Sequence, residues 1–361
     1  MKTKHFLSVL TLISCFCVGI LGCEKEIQSS STTLDISQEY NYMNTSSSMG
    51  NLGRVLFYDQ SLSVNNSVSC GTCHRQEFAF SDQKKVSRGF EAISGERNTP
   101  GIQNLFAASE FFWDGREKDL KTMVMKPFFN HVEMGMNNTS DITNRVKQKP
   151  YYNELFRRAY GDEEITFDRI AEALGGFVGA ITSLESEFDI KLNRVSFPSP
   201  NFAPEINFED PLKQKGLELF FDTYNCGRCH NLTSLTGYDT LMNIGVVNIG
   251  LDAVYEDKGL GALTGRAEDN GKFKIPNLRN VELTAPYMHD GRFASLEDAI
   301  DHYNGGIRNH PNLDHRLKEN GRPIFFDIPE EDKVALVAFL KTLTDYNFVS
   351  DPKYSNPFEN N

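Results

Sequence analysis

Two five-residue motifs carry the clearest chemistry in the chain. Residues 70–74 read Cys-Gly-Thr-Cys-His, and residues 226–230 read Cys-Gly-Arg-Cys-His. In such a motif two thiols can form thioethers to a porphyrin, and the adjacent imidazole can ligate its iron. One copy would also be compatible with a redox dithiol or half of a zinc site. Two intact copies predict two covalently bound haem c groups. The residues assigned to them are Cys70, Cys73, His74, Cys226, Cys229 and His230.

The N-terminal segment is typical of an exported lipoprotein. Two lysines precede an apolar run, Phe6–Leu21, which is shorter than the roughly 20 residues that span a bilayer. A glycine and Cys23 follow this run, which resembles the lipobox of bacterial lipoproteins; an ordinary signal peptide is the alternative. We therefore predict lipidation at Cys23 and a membrane-anchored lipoprotein in the periplasm or outer cell envelope.

All seven cysteines can then be assigned without a disulfide. Cys15 and Cys17 leave with the signal peptide, and Cys23 takes the lipid. The other four belong to the two haem motifs, so no cysteine is left over.

Composition narrows the classes of function. The chain has 361 residues, 39% of them hydrophobic and 24% charged, which supports a folded core and excludes wholesale disorder. Its formal net charge of −12 disfavours binding to phosphate backbones, so we expect no nucleic-acid partner. Beyond the N-terminal run no stretch is apolar enough to enter a bilayer, which predicts membrane contact only through the lipid anchor.

The two motifs lie in a tandem repeat. Pro100 leads after 14 residues to Asp114 in a Trp-Asp-Gly-Arg block, and Pro276 leads after 14 residues to Asp290 in a His-Asp-Gly-Arg block. The offset between matched positions is the same throughout. A repeat that includes these blocks predicts two related haem domains.

We predict an all-α fold in which two tandem cytochrome c-like haem domains pack against each other and carry long loops. Ser295 and Asp298 have the spacing of a helix capping box, and Pro329 is predicted at the first position of an amphipathic closing helix. The predicted segments are a signal peptide (1–22), a flexible tether (23–49), an N-terminal haem domain (50–197), a linker (198–211), a C-terminal haem domain (212–346) and a tail (347–361).

The side chain on the far side of each haem decides what that haem can do. A haem c with both axial positions filled transfers electrons, whereas an open position can bind peroxide. In the first half no histidine lies between His74 and His131. Methionines beyond that loop are more often core packing than ligands. The remaining first-half candidates are Met123, Met125, Lys126, His131, Met134 and Met136.

The second half offers candidate ligands of its own. His302 and Tyr303 lie on one predicted helix, and Met242 and Met288 are further candidates. Tyr303 holds the repeat position of Pro127, which has no ligating side chain. The pattern predicts one open and one closed haem and leaves the choice between His302 and Tyr303 open.

Glu133 and Trp113 are the candidates for catalysis. Above an open ferric haem a carboxylate can take a proton from hydrogen peroxide and return it to the leaving oxygen. A lone glutamate is otherwise a solvated surface residue. Trp113 is the only tryptophan and holds the repeat position of His289. An indole there would relay electrons between the haems or pack in a core, and spacing alone does not decide between the two.

These residues together resemble the bacterial diheme cytochrome c peroxidases, including the MauG-type enzymes, from about Gly50 to Asp345. Beside the haem motifs, the resemblance rests on Arg97–Pro100, Phe112–Arg116, Val132–Gly135 and Leu278–Gly291. It implies that His74 is the proximal ligand of the peroxidatic haem and that Glu133 is its distal acid/base. It also implies that His230 ligates the electron-transfer haem and that Trp113 lies between the haems. A calcium ion is implied between the domains, held by the Asn98 side chain and the main-chain carbonyls of Thr284 and Pro286.

Two departures from the family pattern matter. Many members carry a histidine in the loop after the first motif that caps the resting haem. Residues 85–90 contain none, which favours a first haem that is open without reductive activation. The usual methionine ligand of the second haem is replaced by Tyr303, as in MauG-type enzymes, with His302 as the alternative. A phenolate-type ligand favours ferric and higher iron and lowers the potential of that haem.

The leading interpretation is a diheme peroxidase that reduces hydrogen peroxide to water with electrons from a small cytochrome c or a cupredoxin. One alternative is a MauG-like oxidase of a protein or organic substrate, which Tyr303 favours. Another is a diheme electron carrier without turnover, in which a side chain such as Met123 or Met125 closes the first haem. The sequence leaves open the identity of the donor and whether the chain forms a homodimer.

Overall fold

The computed structural model describes residues 47–192, 206–230 and 245–358. The predicted signal peptide, Cys23, most of the tether, the first part of the linker and Met242 lie outside these residues.

Helices dominate the described residues, and the strands among them are two residues long. The helices are α1 (Ser48–Tyr58), α2 (Cys70–Cys73), α3 (Leu120–Met123), α4 (Lys126–Phe129), α5 (Thr139–Lys147), α6 (Pro150–Tyr160), α7 (Phe167–Ala180), α8 (Glu187–Leu192), α9 (Pro211–Glu218), α10 (Leu260–Thr264), α11 (Leu296–Asp301) and α12 (Glu330–Lys341). The antiparallel strand pairs are β1 (Val246–Val247) with β2 (Phe273–Lys274), and β3 (Lys318–Glu319) with β4 (Arg322–Pro323). The all-α prediction is confirmed. Within the described ranges no helix is long and apolar enough to cross a membrane.

The core of the first half forms where α1 crosses α7. A Cβ on Gly53 would lie 2.0 Å from the carbonyl oxygen of Ala173, so only glycine permits this approach of the two backbones. Beside the crossing, the rings of Phe57 and Phe177 lie 5.2 Å apart. The crossing therefore fixes the helix that leads into the first haem motif.

The core of the second half repeats this arrangement with α9 and α12. A Cβ on Gly216 would lie 2.0 Å from the carbonyl oxygen of Ala335. The rings of Phe220 and Phe339 lie 5.2 Å apart. Each haem motif thus follows a helix anchored by the same kind of crossing.

The backbone between the motifs and the Asp-Gly-Arg blocks also repeats. Asn104 and Asn280, which are equivalent positions, both adopt the left-handed conformation with φ 59°. Phe111 bridges to Glu117, and in the second copy Tyr287 bridges to Phe293. The sequence repeat is therefore a structural repeat.

Sequence signals for helix starts in the second half can be compared with the structure at Ser295 and Pro329. The Ser295 hydroxyl accepts from the Asp298 N–H, and the Asp298 carboxylate accepts from the Ser295 N–H, which confirms the capping box at the start of α11. A π-helical turn, His302–Gly306, extends α11. Pro329 caps α12 rather than occupying its first helical position.

The C-terminal segment returns to the first half. Phe348 and Tyr354 are buried in the same hydrophobic cluster as Phe57. The side chain of Gln76, which lies just after the first motif, donates to the carbonyls of Phe348 and Asp351 at 3.0 and 2.9 Å. The described part of segment 347–361 is therefore a packed part of the first core.

Candidate functional site

The first Cys-x-x-Cys pair lies on α2 in an apolar setting. The Ser69 N–H donates to the Thr72 hydroxyl at 2.9 Å and starts the helix. Burial raises the pKa of Cys70 to about 12 and that of Cys73 to about 11. A redox dithiol needs a lowered thiol pKa, so these surroundings disfavour that role and are compatible with thioether attachment.

His74 is oriented for iron ligation. Its backbone N–H donates to the Cys70 carbonyl at 2.9 Å, and its Nδ1 lies 2.8 Å from the Phe80 carbonyl oxygen. A hydrogen bond at Nδ1 favours the tautomer with its lone pair on Nε2, the atom left for a metal. Burial lowers the pKa of His74, so the ring is held in the neutral form that a metal ligand requires.

The second motif lines a cavity of about 480 Å³ with mainly apolar walls. Cys226, Cys229 and His230 all contribute to the wall. Burial lowers the pKa of His230 to about 4, and the nearby Pro276 carbonyl opposes this decrease. A mainly apolar cavity bearing two thiols and a neutral imidazole fits a covalently attached porphyrin.

Tyr303 lines this cavity, whereas His302 does not. His302 is buried, and its Nε2 lies 3.0 Å from the Ile249 carbonyl oxygen. That contact engages the ring nitrogen that would otherwise reach a metal. Met288 also lines the cavity, and Met242 lies outside the described residues. The placement favours Tyr303 over His302 as the distal side chain of the second site.

Glu133 lies in the turn after α4, near the first motif. Its charge contributes to the raised pKa of both Cys70 and Cys73. The Asn130 side-chain amide donates to Glu133 Oε1 at 2.7 Å. Burial raises the pKa of Glu133, while that hydrogen bond and the charge of Arg116 oppose the rise. A carboxyl group of this kind can take up and return a proton at a higher pH than a solvated one.

The histidine-free loop 85–90 supports the Glu133 turn. The Phe90 N–H donates to the Glu133 carbonyl at 3.0 Å. A Cβ on Gly89 would lie 1.5 Å from the Val132 carbonyl oxygen, so this approach requires glycine. The loop therefore holds the backbone of Glu133 and brings no imidazole to the first site.

The other first-half ligand candidates have different surroundings. His131 is exposed, and Lys126 pairs with Glu117 at 2.9 Å. The methionines lie in the first core or pack against it, namely Met123, Met125, Met134 and Met136. Their placement favours core packing.

Trp113 lies where the two halves meet. Its indole N–H donates to the Asn98 carbonyl at 2.8 Å, and its own carbonyl accepts from the Lys274 N–H at 2.7 Å. The Asn98 N–H donates to the His289 carbonyl, also at 2.7 Å. Lys274 and His289 hold the repeat positions of Asn98 and Trp113, so these two backbone hydrogen bonds are copies related by the repeat. This contact holds Trp113 in a place suited to a relay between the halves.

The residues implied for calcium share the cavity wall. Asn98, Thr284 and Pro286 all line it. The Asn98 amide nitrogen donates to the Lys84 carbonyl at 3.0 Å, which leaves Oδ1 for another contact. Amide and main-chain oxygens are ligands that calcium accepts. The described part of the chain has no cluster of three or more His, Cys, Asp or Glu side chains suited to a metal, so a cation here would depend on such neutral oxygens.

Sequence reasoning missed the charged pairs near Trp113. Arg97 donates two hydrogen bonds to Asp257, of 2.7 and 2.8 Å, and also contacts Asp114. In the second repeat Arg292 pairs with Asp252 at 2.7 Å. The Asp-Gly-Arg blocks contain Asp114 and Arg292, whereas Arg97 lies outside them. The partners Asp252 and Asp257 lie in an irregular segment with no comparable pattern.

Comparisons with known proteins agree on one family. The family model for di-haem cytochrome c peroxidase matches residues 47–195. The cytochrome c551 peroxidase of Nitrosomonas europaea is 33% identical over 303 residues, which cover 82% of this chain and 80% of that protein. The methylamine utilization protein MauG of Paracoccus denitrificans is 34% identical over 355 residues, with coverage of 82% and 88%. The crystal structure of a MauG-like protein associated with microbial copper homeostasis has a TM-score of 0.75 at 32% identity, covering 86% of this chain and 93% of that one.

Proposed function

The chain belongs to the di-haem cytochrome c peroxidase family, whose two c-type haems match its two motifs, and we propose that it reduces hydrogen peroxide to water. The electrons come from a small redox protein, a cytochrome c or a cupredoxin. The observation that carries the proposal is the partly buried Glu133 carboxyl beside the first motif, with its raised pKa. Relatives named as peroxidases support the same reaction.

Glu133 is the proposed acid/base of the reaction. The haem held by Cys70, Cys73 and His74 would supply the oxidising centre that receives peroxide. Asn130 holds Glu133 Oε1, so Oε2 is the atom that takes a proton from hydrogen peroxide. Glu133 then returns this proton to the departing oxygen. Two electrons and two further protons balance the reduction of one peroxide to two waters.

The second half is the proposed entry for electrons. Cys226, Cys229 and His230 would hold its haem, and Tyr303 would be the distal ligand. Trp113, which is bonded to both halves through Asn98 and Lys274, provides an aromatic group between the two sites. The donor then docks on the second half, and the electrons cross at Trp113.

The first site is proposed to be open in the oxidised protein. Its support is the loop 85–90, which contacts the Glu133 turn through Phe90 and contains no histidine. Reductive activation by release of a capping imidazole then has no candidate in this loop.

A MauG-like oxidation of a protein or organic substrate is the second candidate function. The observation that favours it is Tyr303 on the cavity wall beside the second motif. A phenolate is a hard anionic ligand that stabilises iron above the ferrous state. Such a haem would be a weaker acceptor of electrons from a high-potential donor.

Further parts of the proposal concern calcium and location. Asn98 Oδ1 and the carbonyls of Thr284 and Pro286 would hold one calcium ion. Residues 1–22 would act as a signal peptide and Cys23 as the lipidated residue of a periplasmic or envelope-bound lipoprotein. These last assignments rest on sequence.

Low-temperature EPR of the fully oxidised holoprotein, followed by peroxide turnover with a reduced cytochrome c, tests the proposal. We expect one high-spin and one low-spin haem and steady oxidation of the donor by peroxide. Two low-spin haems would show that the first site is capped. Slow bleaching without donor oxidation would support the electron carrier, and peroxide consumption without donor oxidation would support the oxidase.

A further inference from the structure

The repeat places two different side chains at equivalent positions beside Trp113. Asn98 and Lys274 match in the repeat, and the backbone N–H of each donates across to the other half at 2.7 Å. Asn98 carries a neutral amide, which is the proposed side-chain ligand of a divalent cation. Lys274 carries an ammonium group.

Lys274 lines the cavity of the second site. The same wall includes Trp113 and His230. Burial lowers the pKa of Lys274 to about 8, and the nearby Glu110 opposes this decrease. An ammonium can donate three hydrogen bonds, and the one to the Ile275 carbonyl is long, at 3.5 Å. The Lys274 ammonium therefore lies beside the cavity with one long hydrogen bond to the backbone.

Glu110 is the second residue that corresponds, through the repeat, to a proposed calcium ligand. It holds the repeat position of Pro286, whose carbonyl is a proposed calcium ligand. The Glu110 side chain is only 11% exposed, and one of its oxygens pairs with Lys118. Its other oxygen, Oε2, is buried and has no hydrogen-bond partner within the described residues. Glu110 lines the same cavity as Lys274.

We propose that Lys274 and Glu110 form a built-in counterpart of the divalent-cation site. The Lys274 ammonium supplies, beside Trp113 and the second haem, the positive charge that a bound cation supplies at Asn98. Glu110 holds the repeat position of Pro286, and its carboxylate partly balances the charge of Lys274. Lys274 is therefore a positioning residue that sets the electrostatics of electron entry, and it touches no peroxide.

The physical consequence is a shift in reduction potential. A positive charge near a haem stabilises its reduced form, which carries one positive charge less. Lys274 therefore raises the potential of the second haem, whose motif shares its cavity, more than that of the first. This counters the effect of an anionic Tyr303 ligand and keeps the second haem reducible by its donor. The inference rests on the proposed electron-transfer role of the second half.

Redox titration of the holoprotein with Lys274→Met tests the inference. Met replaces a long cation with a neutral chain of similar length. We expect the ratio of reduced to oxidised second haem at a fixed potential to fall about tenfold, or about 59 mV, with a smaller change at the first haem. Lys274→Arg, which keeps the charge, is expected to stay near the wild-type potential. Lys272→Met is the matched control, because Lys272 pairs with Asp269 at 3.0 Å and does not line the cavity.

A change of opposite sign provides a second test. Glu110→Gln removes a negative charge near the same cavity and is expected to raise the ratio of reduced to oxidised second haem several-fold at a fixed potential. It also covers the case in which Lys274→Met fails to incorporate haem. Potentials unchanged in both Lys274→Met and Glu110→Gln would overturn the inference. Because potentials are measured without peroxide, wild-type protein that fails to turn over peroxide would reject the proposed function and leave this result standing.

Discussion

The two halves of the molecule hold their haem motifs alike and differ in what they place opposite them. In both halves a glycine allows two helices to cross, Gly53 against Ala173 and Gly216 against Ala335. The first half then brings the carboxyl group of Glu133 near its motif, whereas the second brings the phenol of Tyr303 to its cavity. The comparison teaches that a repeated scaffold can carry two functions when the distal segments diverge.

The halves also differ in the charge of one buried side chain at equivalent positions. Gln103 and Arg279 are equivalent positions, and the Gln103 side-chain amide donates to the Arg279 carbonyl at 2.8 Å. The Arg279 side chain, 1% exposed, pairs with the buried Asp189. Arg279 of the second half therefore takes part in a buried ion pair, whereas its first-half equivalent Gln103 carries a neutral amide.

Removing the carboxylate of Glu133 should produce the largest effect, a loss of peroxide turnover. We expect Glu133→Gln to lower the rate of peroxide turnover by about 10²–10⁴-fold, because it removes the proton acceptor and keeps the shape of the side chain. Stopped-flow reaction with peroxide, followed at the first haem, measures this rate. Glu91→Gln is the matched control, since Glu91 is exposed on the neighbouring loop. Full activity in Glu133→Gln would show that Glu133 is not the acid/base of the reaction.

Breaking the buried ion pair tests the second difference. We expect Arg279→Met to lower the free energy of unfolding by about 3–5 kcal/mol, because Asp189 is left charged and buried without its partner. Gln103→Met at the equivalent position should cost only about 1–2 kcal/mol, the loss of one neutral hydrogen bond. Urea unfolding of the holoproteins, followed by circular dichroism, compares them. A double variant, Arg279→Met with Asp189→Leu, should recover much of the loss, and equal effects at the two positions would contradict the comparison.

Sequence patterns predicted those features that depend on local spacing. The haem motifs, the short blocks that recur in the two repeat copies and the capping box at Ser295 are all short-range patterns, and the fold carries each of them. The Arg279–Asp189 pair joins residues 90 positions apart and has no such pattern. The same holds for Lys274 with Glu110, because their proximity depends on how the two halves pack.

The C-terminal segment illustrates another limit of sequence reasoning. Residues 347–361 follow the closing helix, and the sequence predicts a tail there. Phe348 and Tyr354 of this segment are buried in the first core, and Val349 packs against it. Isolated aromatic residues have no characteristic spacing, so their partners become visible only in the fold.

Exchanging the distal side chain of the second half should sharpen its difference from the first. If Tyr303 is the proposed anionic oxygen ligand, Tyr303→Met replaces it with a neutral thioether, which raises haem potentials. We expect the ratio of reduced to oxidised second haem at a fixed potential to rise more than tenfold, with little change at the first haem. Redox titration and EPR measure both. His302→Gln is the control, since His302 bonds the Ile249 carbonyl and lies off the cavity wall. Ligand changes in His302→Gln but not in Tyr303→Met would reverse the assignment.

The pH dependence should show the smallest effect and tests the environment of Glu133 directly. Only the deprotonated carboxylate can accept the proton of peroxide, and burial raises the pKa of Glu133 above its ordinary value. We therefore expect the peroxide reaction to slow by up to about tenfold per pH unit below that raised pKa, and to level off above it. Rapid-mixing kinetics from acid to neutral pH measure the profile, and Glu133→Gln should lose the inflection. An inflection at the value of a solvated glutamate would mean that Glu133 is hydrated like a surface residue. The contrast between the halves would then rest on their haem ligands alone.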